Sequence, residues 1–240
     1  MHFRRQLAHF WIAVGLAAQP LFVTGVVIAG AAIPGYNPVR DALSQLGITS
    51  PHPALVGALF VTYGTLMLCV TFALREALRE LPSARAMLFC LGCYGVGAIL
   101  AGAFPYHSTR EVVKGVSENA LHGVGAWFVF GGVILAIGSF SLDIRRDPRW
   151  HLFLIASLAI EAAAFPLALI VAAEVWLPVR GLMQRLMGLA VDAWIFALLL
   201  RTRSMLRAST ALPARLPGEE APGQPKAEDQ PAEQPRKVNG

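Results

Sequence analysis

Charge is what this chain has least of. Asp, Glu, Lys and Arg together make up 15% of its 240 residues, where soluble domains carry roughly a quarter. With 55% hydrophobic residues and a mean hydropathy of +0.55, the polar surface is too small to cover the apolar surface, which excludes a water-soluble globule. Cysteine is scarce too. Cys69, Cys90 and Cys93 all fall inside apolar stretches, and Cys90-x-x-Cys93 lacks a second Cys or His pair at zinc spacing. They read as small core hydrophobes. The chain also lacks the His-Glu-x-x-His signature of a metallohydrolase, and no Gly-x-Ser-x-Gly elbow surrounds Ser44. A net charge of +5 and a pI near 9.5 suit nucleic acid, but the arginines stand in short clusters beside apolar runs, as membrane topology requires. No nucleic-acid partner is expected.

Long apolar runs are abundant. Six of them, 10–33, 54–74, 86–104, 121–142, 150–172 and 182–200, meet or approach the ~20 residues that cross a bilayer core as helix. The first follows Arg4 and Arg5 in the manner of a signal peptide, yet it exceeds the h-region of about 7–15 residues and is read as a retained helix. Arg4, Arg5, Arg75, Arg79, Arg85, Arg145, Arg146, Arg149, Arg201, Arg203 and Arg207 fall on one side, against Arg40, Arg110, Lys114, Arg180 and Arg185 on the other. The richer side is the cytoplasm by the positive-inside rule. The expected fold is therefore an all-α polytopic bundle over 1–207, both termini inside, multi-pass in a bacterial inner membrane. The Pro-, Ala-, Glu- and Gln-rich stretch 208–240 is a disordered cytoplasmic tail. Glycines crowd the third segment (Gly92, Gly95, Gly97, Gly102) and the fourth (Gly123, Gly125, Gly131, Gly132), so these two helices are expected to pack together.

The polar residues that need a role gather on the other side. Between the first two segments, Asn37 is a good N-cap, Pro38 suits a first turn and Gly47 suits a helix end, which predicts a short surface helix. Asp41, Ser44 and Gln45 share one of its faces, with Arg40 beside them. In the third loop, Ser108 and Glu111 have capping-box spacing and Gly115 suits the end of a short helix, after which Ser117 caps the fourth segment. Glu118 and His122 stand one helical turn apart, and His107 enters from the loop. These are ligand types and spacing for a divalent metal, which Asp41 or His107 would complete. Deeper in the bilayer are Glu161, Asp192 and Arg185. Charges at that depth cost at least about 2.5–3.5 kcal/mol on insertion scales, and a Glu161–Arg185 ion pair is expected to offset this.

Three stretches carry a resemblance: Asn37-Pro-Val-Arg-Asp-Ala-Leu-Ser-Gln-Leu-Gly47, then Gly102-Ala-Phe-Pro105 with His122 following, then Gly181-Leu-Met-Gln-Arg185. In order and topological place they resemble the bacterial and archaeal integral membrane proteins of the DUF998 family. The similarity runs from about Phe10 to Arg201. Ser44-Gln-Leu-Gly47 matches that family's first-loop motif, and Arg185 its arginine early in the last helix. Tyr106 and His107 depart from the acidic residue often found just after Phe-Pro there. The resemblance implies the fold and a membrane location, and it implies no activity.

The expected site is thus a polar pocket at the outer ends of the helices, lined by Arg40, Asp41, Ser44, Gln45, His107, Glu118, His122, Glu161 and Arg185. The leading expectation is a protein that binds membrane lipid by its headgroup, or another small polar ligand, at the outer leaflet. Its alternatives are a metal-assisted hydrolase or transferase using His107, Glu118 and His122, and a proton-coupled carrier titrating Glu161 and Asp192.

Overall fold

A computed structural model describes residues 2–79, 81, 84–172 and 177–211. Among them are seven α-helices: α1 (His2–Ala31), α2 (Leu46–Thr49), α3 (Pro53–Ala77), α4 (Ala84–Ala103), α5 (Glu118–Ile144), α6 (His151–Ala172) and α7 (Arg180–Ala211). All but α2 are long and apolar enough to cross a membrane. The six apolar segments are therefore all present, each within a few residues of its expected centre. Helix α7 continues to Ala211, a few residues into the stretch assigned to the tail. Residues 212–240 lie outside the described residues.

Local chemistry accounts for several ends. Pro53 begins α3, where a missing N–H costs nothing. The Ser117 hydroxyl accepts a hydrogen bond from the Ala120 N–H at 3.1 Å, the expected cap of α5, and Glu118 adds a carboxylate to that first turn. The expected short helix in the third loop is absent. Residues Glu111–Val113 (β1) and Val116–Ser117 (β2) form an antiparallel hairpin instead, because Val112, Val113 and Val116 favour extended backbone and Gly115 takes the positive φ (81°) of a tight turn.

Glycine determines how closely the central helices approach. At Gly97 a Cβ would lie 2.6 Å from the Gly125 carbonyl oxygen, and at Gly125 one would lie 2.8 Å from that of Gly97. The expected pairing of the third and fourth membrane helices, α4 and α5, is thus correct. The same device joins α3 to α4 through Gly57 with Gly102 and Gly64 with Gly95. Helix α1 packs on α3, and α6 with α7 makes a hairpin that returns to α1 and, at its arginine-rich end, to α5. At that end Trp150, Phe153, Phe140 and Trp194 stack edge-on or tilted at 5.2–6.0 Å, with the Trp194 indole donating to Ser157 Oγ at 2.9 Å. Large exposed side chains such as Phe72, Phe89, Trp127 and Leu152 would be a liability in water and are ordinary against lipid.

Candidate functional site

At the opposite end, the loop after α1 is fastened to the start of α7. One backbone turn forms where Asn37 Oδ1 accepts from Val39 N at 2.9 Å. The short helix starts later than expected, as a 3-10 turn over Leu43–Gln45 that runs into α2, so Gly47 lies inside a helix and does not end one. Gln45 caps it, its Oε1 accepting from Ala42 N at 3.0 Å. Across the gap, Leu43 N donates to Gln184 Oε1 at 2.7 Å and Leu182 N to the Val39 carbonyl at 2.9 Å. Arg185 completes the junction, donating through Nη1 to the carbonyls of Pro38 (2.7 Å), Asp41 (3.0 Å) and Gly181 (2.9 Å), and through Nη2 to the Tyr36 hydroxyl.

The expected Glu161–Arg185 pair is therefore not formed. Arg185 faces the loop, while Glu161 Oε2 is buried with no hydrogen-bond partner among the described residues. Similar depth in antiparallel helices does not set the direction in which each side chain leaves its helix.

Electrostatics tightens the loop. A hydrogen bond from Arg40 Nε at 2.8 Å, reinforced by the Asn37 N–H at 2.7 Å, holds the Asp41 carboxyl below its ordinary pKa. Burial pushes the Tyr36 phenol up, opposed by the Arg185 charge. A carboxyl with a depressed folded-state pKa contributes stability above its unfolded value, lost as pH falls through that value and below. Amide exchange in 37–42 should thus quicken as pH drops below about 4 relative to exchange in α4. A loop equally protected at pH 3 and pH 6 would contradict this.

Two of the three side chains chosen as metal ligands, Glu118 and His122, have hydrogen-bonding partners, and the His107 ring packs against Tyr106. Glu118 accepts from Ser108 Oγ at 2.6 Å and meets Arg110 at 3.5 Å. His122 Nδ1 lies 2.8 Å from the Phe104 carbonyl, and His107 is held by its backbone N–H on Asn119 Oδ1 at 2.7 Å. Among the described residues, no group of three His, Cys, Asp or Glu side chains is arranged to hold a metal. The i, i+4 spacing put Glu118 and His122 on one face, but hairpin and loop groups engage each of them first.

Between α3, α4 and α5 on one side and α6 and α7 on the other lies a cavity of 830 Å3. Of the nine residues expected to line a pocket, it contains Ser44 and His122, joined near the loops by Pro105, Tyr106, Arg180 and Gln184. Its walls are otherwise mostly apolar. Exposed Trp127, Leu135, Phe165 and Leu169 line one flank, so it opens sideways between α5 and α6 as well as towards the loops. The inner end reaches Tyr63, Tyr94 and Asp192. The Tyr63 hydroxyl lies 3.0 Å from Asp192 Oδ1, 2.8 Å from Gln19 Oε1 and 3.0 Å from the Tyr94 hydroxyl, and Phe22 stacks on its ring at 4.1 Å. Gln19 spends its amide protons on the Gly15 carbonyl and Met67 Sδ. Tyr63 has one proton for three neighbours, and the Tyr94 hydroxyl, which also bonds Asp192, brings one more, so two phenolic protons serve the Gln19 and Asp192 oxygens. Sequence reasoning singled out Asp192 but missed its partners. Gln19, a polar residue amid an apolar run, was the available signal, whereas the two tyrosines read as ordinary apolar content.

These features define a multi-pass helical membrane protein with a cavity blocked at its arginine-rich end. The chain belongs to the DUF998 family, described as proteins of unknown function, whose family model matches residues 16–201. No curated protein and no solved structure matches it. Of the three stretches that carried the resemblance, Asn37–Gly47 docks on Gly181–Arg185, and the second, within which Phe104 meets His122, borders the same cavity as the other two.

Proposed function

We propose that the protein binds an amphiphilic small molecule from the membrane, its apolar body in the cavity and its hydrogen-bond donor on Asp192 and Tyr63. The observation that carries this reading is a cavity of 830 Å3, within the roughly 300–1,000 Å3 of ligand sites, whose apolar walls end on an acceptor-rich cluster. The Asp192 carboxyl has lone pairs beyond those the two phenols engage, and a ligand N–H or O–H placed there adds a hydrogen bond of about 0.5–3 kcal/mol, strongest for a charged partner. The sideways opening supports entry from lipid. The arginine distribution supports a mouth facing away from the cytoplasm, at the periplasmic leaflet if the host membrane is a bacterial inner membrane.

The reading shifts the expected ligand from a headgroup held by Arg40 and Arg185 to an amphiphile held deeper. An alkylamine, an alkyl alcohol and a fatty acid of equal chain length separate the alternatives. Thermal-shift titration of purified protein should show the amine binding most tightly, and Asp192→Asn should weaken it at least about tenfold, the low end for a hydrogen bond to a charged group. A panel that leaves melting untouched, or an Asp192→Asn protein that binds the amine as before, would end the proposal.

A further inference from the structure

A second cleft, remote from the cavity, lies at the arginine-rich end between α1, α3 and α4. It encloses 660 Å3; Trp11, Phe72 and Leu88 give it apolar walls, and Arg4, Arg75, Arg79 and Arg85 line it too. Glu76 is the one acidic residue among the described residues of its lining, so four positive charges face one negative. That carboxylate lies 3.7 Å from Arg79, whose side chain is 46% exposed, a loose surface pair of little strength. Arg4, Arg75 and Arg85 form no ion pair among the described residues.

Topology alone asks only that arginines stand on this side, in any arrangement. Here they come from the start of α1, the end of α3, the turn just after it and the second residue of α4, and they border one concavity whose walls are apolar. Guanidinium groups fork onto phosphate oxygens with two parallel hydrogen bonds. Phe72 is 70% exposed and continues the cleft towards the lipid side. A free anion would make no use of that aromatic wall, whereas an acyl chain would cover it.

We propose that this cleft holds the phosphodiester of an anionic phospholipid, with an acyl chain lying along Phe72 and Leu88. Basic pockets between membrane helices on the arginine-rich side suit such headgroups. The site is independent of the central cavity, so Asp192→Asn leaves it intact.

The test uses the intact protein in non-ionic detergent, with phosphatidylglycerol and phosphatidylcholine of equal chain length, and counts retained lipids by native mass spectrometry. Phosphatidylglycerol should be retained preferentially. The double variant Arg75→Gln/Arg79→Gln should lower its apparent affinity about thirtyfold, the factor for two lost surface arginines, while Arg110→Gln at the opposite end leaves it unchanged. Glu76→Gln should raise the affinity about fivefold, a gain that a misfolded protein cannot produce. Equal retention of the two lipids overturns the proposal. So does a double variant that binds phosphatidylglycerol normally, or displacement of the lipid by millimolar inorganic phosphate, which would mark a site for a soluble anion.

Discussion

Replacing Gly97 with valine should destabilise the folded bundle by about 3 kcal/mol or more, at or above the upper end of ordinary overpacking. A first added carbon there would meet the Gly125 carbonyl oxygen at 2.6 Å, Phe128 Cβ at 2.7 Å and the Val129 nitrogen at 2.8 Å. Two of those atoms are backbone and none is the flexible end of a side chain. Valine adds two further methyl groups at the same place, so α4 and α5 must separate along their length. Between helices in lipid, close backbone packing replaces the hydrophobic drive available in water, and separation forfeits it. Each helix still satisfies its own backbone hydrogen bonds, so helical content should persist while melting temperature falls. Gly92→Val is the matched control, because nothing lies within 4 Å of the position a side chain would take there. Equal melting of the two variants would mean that α4 and α5 do not meet as described.

The second large effect is expected at Arg185. Its guanidinium reaches three carbonyls and the Tyr36 hydroxyl, and these groups come from both sides of a junction that joins the first loop to α7. A charged hydrogen bond contributes about 1.5–3 kcal/mol, and part of this group is open to solvent, so Arg185→Ala should cost roughly 2–4 kcal/mol rather than the sum. Lysine keeps the charge but is a point donor. Arg185→Lys should therefore recover well under half of the loss. Amide exchange at Asp41, Ala42 and Leu43 should rise in both variants while the interior of α3 stays protected. Unchanged exchange in that loop would show that the junction does not depend on the arginine.

The membrane helices were legible because apolar length is a one-dimensional signal. So was their pairing through Gly97 and Gly125, since small residues crowd an interface for a simple steric reason. What was not legible depended on direction. A rise of about 1.5 Å per residue places Glu161 and Arg185 at comparable depth, but it says nothing of the azimuth that turns one to the loop and leaves the other without a partner. Glu118 and His122 illustrate the same limit, because spacing predicts a shared face and cannot foresee that Ser108, Arg110 and the Phe104 carbonyl engage it. In the third loop a capping-box pattern competed with three valines and a glycine, and the extended backbone won over so short a stretch. The Tyr63–Tyr94–Asp192 cluster joins three helices far apart in sequence, and only the fold brings them together.

The aromatic stack of Phe140, Trp150, Phe153 and Trp194 has a bearing on traffic through the molecule. It stands just past Asp192, where a passage to the far side of the membrane would have to run. The cavity's lining stops short of this stack. The cavity is thus a cup rather than a pipe, which suits the proposed binding of an amphiphile better than its passage. Conduction would require Trp194 to give up its bond to Ser157 and the α6–α7 hairpin to swing away from α5, a rearrangement of the fully buried Phe140, Trp150 and Trp194.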